Sequence, residues 1–160
     1  MIWRDLEAAA PELAQLGAER LEAAGIALLG TLRANGAPRI SPVEPFLVAG
    51  HLLFGVMAWS GKARDLARDP RCVLHSAVSS PDAGEGELKL YGRALVVDDP
   101  ELRARASGAW WVGRPPEEAH VFSLAAEEAV FVSWELERGR MTVRRWSPER
   151  GLSERTRDYP

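Results

Sequence analysis

Strand patterns separated by tight-turn signals fill most of the chain after residue 25, and this alternation limits the folds open to it. The clearest turn is Asn35-Gly36, a dipeptide typical of a hairpin between antiparallel strands, which separates an apolar run over residues 26–33 from a second run over residues 38–49. The second run contains Pro42 and Pro45, which cannot donate a hydrogen bond to a neighbouring strand. We therefore expect it to form an edge, bulged or bent strand of an antiparallel sheet.

Further strand patterns continue along the chain. We predict strands over residues 51–57, 71–79, 87–98, 128–137 and 140–146, the last two joined as a hairpin across Arg138-Gly139. A polar loop is expected over residues 80–86, and a polar, mobile tail from Ser147 onward.

Helical patterns occupy the remaining segments. Residues 1–25 are predicted to form two helices, because Pro11 is tolerated in the first turn of a helix and Gly25 is suited to end one. A short helix after Ser60 ends at Asp69-Pro70, another runs from residue 100 to about residue 112, and a third begins at Pro115.

These patterns predict a mainly β fold with peripheral helices, in the α+β class. Strands that are mostly connected as hairpins favour an antiparallel barrel. A chain of 160 residues fits one domain over residues 1–160, made of N-terminal helices (1–25), a barrel with inserted helices (26–146) and the polar tail (147–160).

Composition narrows the expected partners and location. A formal net charge of −3 gives no general attraction to nucleic acid, so we expect no nucleic-acid partner. We also expect no membrane association, since the apolar stretches are shorter than the roughly 18 residues that a membrane span needs. The acidic, alanine-rich beginning is unlike a signal peptide, and Cys72 is the single cysteine, so we expect a cytoplasmic protein.

The strongest functional signal is Ser60-Gly61-Lys62, where the strand over residues 51–57 gives way to the short helix. The first N–H groups of a helix lack partners within it, the helix dipole favours negative charge there, and a lysine adds a full positive charge. The chain has 20 lysines and arginines in total, and only two of them, Lys62 and Lys89, are lysines. A lysine at this position is therefore unusual for the chain. We interpret the segment as a phosphate site that Arg64 also reaches, the alternatives being a simple helix cap and solvated surface charges.

With this arrangement the chain resembles the pyridoxamine-phosphate-oxidase-like family, whose members fold as a flavin-binding split β-barrel. The resemblance covers roughly residues 26–98. It rests on the strand over residues 26–33, the turn and strand over residues 35–43, the block from Ser60 to Arg71, and Leu90-Tyr91-Gly92-Arg93-Ala94 followed by Val96-Val97-Asp98.

The resemblance implies a homodimer with two cofactor sites at the subunit interface. It implies FMN as the cofactor, with the deazaflavin coenzyme F-420 as the alternative, because Ser41-Pro42-Val43 is more like the actinobacterial branches that use either one. The phosphate would lie near Ser60 and Lys62, and the ring along residues 41–44. The implied cofactor-binding residues are Ser41, Val43, Glu44, Met57, Trp59, Ser60, Lys62 and Arg64.

The chain also departs from the vitamin-pathway oxidases that the family is named after. The second strand continues Ser41-Pro42-Val43-Glu44-Pro45-Phe46 where those enzymes carry an arginine and a lysine, and their C-terminal tryptophan and arginine signature is not recognisable. Val56, Met57 and Trp59 stand where polar flavin contacts are usual. We therefore expect an oxidoreductase of a different, unidentified small molecule, and no residue stands out as its general acid or base.

Two other functions stay open on the sequence. A fold does not fix a function, so the chain is alternatively a non-catalytic cofactor-binding or sensing protein on the same barrel. A third possibility is haem binding with a histidine as axial ligand. We expect no metal site, because His51, His75 and His120 lack the spacing of metal ligands.

Two features have alternative interpretations. The adjacent Trp110 and Trp111 point in different directions, so they pack in the core and the dimer interface, or one of them stacks on a cofactor ring. Near the C-terminus, arginines interleave with acids, which favours a solvated, self-paired surface. The alternative is recruitment of an anionic cofactor tail, such as the polyglutamate tail of a deazaflavin. The arginines are Arg138, Arg140, Arg144, Arg145, Arg150, Arg155 and Arg157.

Overall fold

The computed structural model describes residues 1–80 and 84–158. Within these residues the strands are β1 (Ala27–Leu32), β2 (Pro38–Val43), β3 (Pro45–Val48), β4 (His51–Met57), β5 (Arg71–Ser76), β6 (Glu87–Val96), β7 (Ala119–Glu135), β8 (Arg140–Ser147) and β9 (Gly151–Asp158). The α-helices are α1 (Trp3–Ala9), α2 (Pro11–Ala24), α3 (Gly61–Arg68) and α4 (Pro100–Ala104). In the described part of the chain, no helix is both long and apolar enough to cross a membrane.

One antiparallel sheet contains all of these strands, and β7 organises it. The sheet runs in the order β2-β1-β5-β6-β7-β4-β3, and the second half of β7 also pairs with β8, which in turn pairs with β9. The 17 residues of β7 allow this branching, because β6 pairs along one edge while β4 and β8 take successive parts of the other. The predicted mainly β, split-barrel fold with peripheral helices is confirmed.

Prolines mark both ends of the main strand order. β2 and β3 occupy these ends, and they are successive pieces of the run that the sequence predicts as one bent edge strand. Glu44 separates the two pieces, with Pro42 before it and Pro45 after it. Since proline cannot donate to a further strand, both ends resist extension. The prediction of an edge, bulged or bent strand is confirmed, since the run is an edge strand that is interrupted at Glu44.

The two predicted N-terminal helices are present, and they pack against the sheet. Pro11 begins α2, and Gly25 ends it in the left-handed conformation, with a φ of 65°. Leu13 and Gly17 lie on the buried side of α2. A methyl group added to Gly17 would lie 3.1 Å from the side chain of Leu88 on β6, so the small residue allows the helix to approach the sheet closely.

Two helix predictions between β6 and β7 are wrong. The helix predicted to run to residue 112 ends as α4 at Ala104, and Gly108 adopts a φ of 88°, which a continuing helix does not allow. At Pro115, where the second helix was expected to begin, the carbonyl accepts hydrogen bonds from Glu118 and Ala119 and closes a turn. β7 then begins at Ala119 rather than at residue 128, because pairing with β4 and β6 extends the strand through a segment of weak intrinsic strand preference.

The C-terminal tail is a strand rather than a mobile segment. β9 pairs with β8 over its full length, and the predicted hairpin across Arg138-Gly139 is confirmed at the other end of β8. The prediction of mobility is wrong because a polar composition does not prevent backbone pairing at the edge of a sheet. Residues 159–160 of the tail, and residues 81–83 of the predicted loop, lie outside the described residues.

Gly55 of β4 allows a second hydrophobic cluster to form beside the main core. The main core lies between the N-terminal helices and the sheet. The second cluster surrounds Trp111, which is fully buried and packs edge-on against Phe46 with 4.9 Å between ring centroids. A methyl group added to Gly55 would lie 2.3 Å from the Trp111 ring. The indole therefore lies against the strand only because β4 has a glycine at this position.

We predict that Gly55→Ala lowers the free energy of unfolding by about 1–3 kcal/mol, since it overpacks the contact with Trp111. In a Trp111→Ala background the same change should cost much less, because the overlapping ring is gone. Urea unfolding of the four proteins of this cycle measures both costs. An equal cost in the two backgrounds would contradict the contact.

Candidate functional site

A cavity lies where the sheet is split. β2 has β1 as its paired neighbour and β4 has β3 and β7, yet β2 and β4 approach each other across the split. A cavity of about 530 Å³ opens there beside the beginning of α3, a volume in the range of small-molecule sites. It brings together seven of the predicted site residues, which are Ser41, Val43, Glu44, Met57, Trp59, Ser60 and Lys62.

Ser60 caps the N-terminus of α3, and the positive end of the helix lies at the cavity. Its hydroxyl accepts a hydrogen bond from the N–H of Ala63 at 3.2 Å, so the expected helix cap is present. Gly61 and Lys62, the first two residues of α3, also line the cavity. The N–H groups of a first helical turn have no carbonyl partner within the helix, so they are available to an anion.

Lys62 links α3 to the edge strand β2. Its Nζ donates a hydrogen bond to the Pro42 carbonyl at 2.6 Å. Partial burial removes water from the ammonium group and lowers the pKa of Lys62 below its ordinary value. An ammonium group has three donors, so one bond to a backbone carbonyl leaves two for a ligand.

Arg39 is a cationic lining residue that was not predicted from the sequence. It lies on β2, and its guanidinium is so close to α3 that a methyl group added to Gly61 would lie 2.8 Å from its Cζ. The alternation of side chains along a strand could have identified Arg39, because it lies two residues before Ser41 and therefore on the same face of β2. Arg39 and Lys62 bring two positive charges to the start of α3.

A buried carboxylate holds Arg39 in place. Asp65 of α3 is 3% exposed, and its Oδ2 accepts hydrogen bonds from Arg39 Nε at 2.6 Å and from the Thr31 hydroxyl at 2.9 Å. Arg68 lies 3.6 Å from the other oxygen. Burial is the largest influence on the carboxyl and raises its pKa, but the bonds from Arg39 and Thr31 and the charges of both arginines outweigh it. The pKa of Asp65 is therefore lowered.

Apolar and aromatic side chains form another part of the cavity lining. Met57 and Trp59 are exposed, and the half-buried Trp110 joins them from the segment after α4. The adjacent tryptophans diverge as expected, with their ring planes 85° apart. Trp111 packs in the second cluster and Trp110 borders the cavity, where the Arg114 guanidinium lies 5.9 Å from the centre of its ring.

Other candidate residues lie elsewhere. Arg64 does not join the cavity lining; its guanidinium donates to the Trp59 carbonyl at 3.0 Å. His51 bonds to Ser123, and His75 bonds to Glu87. Among the described residues, no group of three or more potential metal ligands comes together. Burial raises the pKa of the Cys72 thiol to about 12, so the thiol is neutral and unreactive near neutral pH.

The lining combines two kinds of chemistry. Arg39, Lys62 and the first N–H groups of α3 offer positive charge and hydrogen-bond donors. Met57, Trp59 and Trp110 offer apolar and aromatic contact area. The arrangement suits a ligand that carries an anionic group and a flat ring system.

The sequence matches a family model described as pyridoxamine 5'-phosphate oxidase over residues 14–133. No curated protein matches the sequence.

Solved structures share the fold over most of the chain. PhzG from Burkholderia lata 383, in complex with tetrahydrophenazine-1-carboxylic acid, has 15% identity and a TM-score of 0.64, covering 96% of this chain and 92% of that one. A pyridoxamine 5'-phosphate oxidase-related, FMN-binding protein from Nostoc punctiforme has 13% identity and a TM-score of 0.61, covering 93% and 96%. A heme-binding protein from Mycobacterium smegmatis has 17% identity and a TM-score of 0.58, covering 90% and 88%. At these identities the likeness shows a shared fold.

We predict that Asp65→Asn destabilises the protein by about 2 kcal/mol at neutral pH, because Arg39 and Arg68 lose their buried counter-charge. A carboxyl whose pKa is lowered by folding stabilises the protein fully above its unfolded pKa, and this stabilisation is lost as the pH falls through the lower, folded value. The difference from the natural protein should therefore shrink as the pH falls from neutral to about 3, as urea unfolding at each pH would show. A difference that is constant over this range would contradict an ionised Asp65.

Proposed function

The chain belongs to the pyridoxamine 5'-phosphate oxidase family, and on this basis we propose that it is an oxidoreductase that binds FMN and acts on a small organic molecule. The deazaflavin F-420 is the alternative cofactor. The observation that carries the proposal is the meeting of Arg39, Lys62 and the beginning of α3 at one cavity. Two cations and free N–H groups are the donors that a terminal phosphate needs. The chain also shares its fold with the FMN-binding protein from Nostoc punctiforme, which supports the same conclusion.

Each part of the lining has a role in this proposal. Lys62 and Arg39 bind the phosphate, and Asp65 orients Arg39 through its hydrogen bond. Met57 and Trp110 contact the ring system, and Trp59, which is 74% exposed, covers it from water when the cofactor is bound. Residues 41–44 lie on the edge strand β2 and just after it, where backbone groups not used in the sheet can pair with the polar edge of a heterocycle. FMN, when bound, supplies the hydride chemistry.

The alternatives are weaker on the geometry. In the described residues no histidine lines the cavity, so haem would find no imidazole ligand there. Glu44 is the one carboxylate in the described lining, so the lining has no pair of carboxylates for acid–base catalysis. This is compatible with a cofactor that carries the chemistry, and it also keeps a non-catalytic, cofactor-binding or sensing role as the second candidate.

An exposed apolar stripe supports a homodimer. Ile40, Gly30, Val73 and Tyr91 lie side by side on the four neighbouring strands β2, β1, β5 and β6. Ile40 is 72% exposed and Tyr91 is 42% exposed, and Leu28 extends the stripe along β1. An apolar stripe across four strands marks an interaction surface. We assign it to a second copy of the chain, which would bring a partner's surface next to the β2 side of the cavity.

We also place the protein in the cytoplasm. Cys72 is its single cysteine, so the chain forms no intrachain disulfide. Disulfides are rare in proteins of reducing compartments such as the cytoplasm.

We predict that Lys62→Ala weakens FMN binding by about tenfold or more, because it removes a charge-assisted hydrogen bond to the phosphate. Lys89→Ala is the matched control, since Lys89 is the other lysine of the chain and pairs with Glu87 on β6. Titration with FMN and with F-420, followed by ligand fluorescence, measures both variants. Equal affinities in the two variants would contradict the phosphate site.

The same preparation separates the two candidate functions. Reduction of the bound cofactor by an electron donor, followed by its reoxidation by an acceptor in repeated turnover, supports the oxidoreductase. Tight binding without turnover over a panel of donors and acceptors supports the sensing role.

We predict that Ile40→Glu converts the dimer into a monomer, because it places a charge in the middle of the apolar stripe. Val112→Glu is the control, since Val112 is exposed and lies outside the stripe. Analytical ultracentrifugation gives the masses. A natural protein that sediments as a monomer would refute the dimer assignment.

A further inference from the structure

The hairpin of β8 and β9 separates its charges between two faces. Successive side chains of a strand point to opposite faces, and the register between the two strands carries this alternation across the hairpin. Arg145, Arg155 and Arg157 therefore share one face, whereas Glu154 and Asp158 belong to the other. We call the first of these the arginine face. The acids that alternate with the arginines in the sequence therefore do not lie on the arginine face.

The ion pairs follow the same division. Arg144, on the acidic face, lies 2.9 Å from Glu154 and 3.3 Å from Glu12. On the arginine face, Arg145 lies 3.6 Å from a carboxylate oxygen of Glu128. Within the described residues, Arg155 and Arg157 have no carboxylate within 4.0 Å. The expected paired surface is confirmed for Arg138, Arg144 and Arg145, which each lie within 4.0 Å of a carboxylate. It is wrong for Arg155 and Arg157.

The arginine face is concave. A concavity of about 560 Å³ lies over it, and Arg150, from the turn between the two strands, adds a fourth guanidinium to its lining. Met141 and Val143 contribute its apolar part, and Ser153 contributes a hydroxyl. The described lining contains no aromatic side chain. Positive charge on an extended, apolar floor suits a chain that carries spaced negative charges.

β9 also offers an open edge. It is eight residues long, free of proline and exposed throughout, and in the described part of the chain β8 is its sole partner. The ends formed by β2 and β3 differ, because they carry Pro38, Pro42 and Pro45. An unpaired edge presents a row of backbone donors and acceptors that another extended chain can use.

We propose that the arginine face and the open edge of β9 together bind an extended acidic peptide segment of a partner protein. The segment adds to β9 as a further strand. Its alternate side chains then point to the arginine face at a spacing of about 7 Å, which is also the spacing of Arg155 and Arg157 along β9. Carboxylates at these alternate positions pair with the guanidinium groups, and the backbone bonds fix the register.

The chemistry of the surface favours a peptide over a nucleic acid. Single-stranded nucleic acids are held by aromatic side chains that stack on the bases, and the lining has none. A net charge of −3 opposes a densely charged polyanion at long range, whereas a short acidic segment needs only the local arginines. The proposal is independent of the cofactor and of the cavity at the split.

The experiment measures binding of a fluorescent ten-residue peptide of alternating Glu and Thr to the full chain by anisotropy. We expect Arg155→Glu with Arg157→Glu to weaken binding by about tenfold or more, since two charge-assisted contacts become repulsive. Arg138→Glu with Arg140→Glu is the matched control, because it makes the same change of net charge and neither residue lines the concavity. Binding should also fall as salt is raised.

Two further probes test the mode of binding. Two peptides are compared, one N-methylated at its odd-numbered residues and the other at its even-numbered residues, which are the two methylation frames. One of them should lose binding and the other should keep it, because one edge of an added strand faces the protein and the other faces solvent. An alternating Lys and Thr peptide should not bind.

Several results would overturn the proposal. These are equal effects of the arginine-face variant and the control variant, equal effects of the two methylation frames, or tighter binding of a single-stranded oligonucleotide of the same charge. A change of oligomeric state in the Arg155 and Arg157 variant would also overturn it, since the arginines would then serve a second copy of the chain.

Discussion

The buried carboxylate of Asp65 is the interaction on which the arrangement of the site depends. It joins three elements at once, because Asp65 lies on α3, Thr31 on β1 and Arg39 on β2. A buried carboxylate is tolerated only when its oxygens are hydrogen-bonded and its charge is balanced. The position of α3 against the sheet and the direction of Arg39 are therefore set together. Without Asp65, neither the side chain of Arg39 nor the helix that carries Lys62 would be held to the sheet by this contact.

The sequence was most informative where side-chain chemistry acts locally. Pro11 and Gly25 set the limits of α2, Pro42 and Pro45 predicted the bent edge, and Ser60 predicted the cap of α3. In each case one residue restricts its own backbone or satisfies a nearby group, so the pattern can be recognised without knowledge of distant contacts.

Features that depend on pairing between distant segments were missed. The first half of β7 is a strand because β4 and β6 lie beside it, and β9 is a strand because β8 does. The same limit applied to the cavity. Seven lining residues were anticipated, partly through the family resemblance, but Arg39 and Asp65 act through each other and lie 26 positions apart. Alternation along β2 identifies the face of Arg39, whereas its partner is known only from the fold.

The prolines at the two ends of the strand order have a consequence for the shape of the whole barrel. A sheet with donors at both ends could join them and become a continuous cylinder, with every edge satisfied and no gap in its wall. Here β2, the strand that would complete such a closure, carries Pro38 and Pro42. Each proline nitrogen lacks a hydrogen and therefore removes one possible hydrogen bond. The opening in the wall is therefore a consequence of the covalent structure of β2 itself.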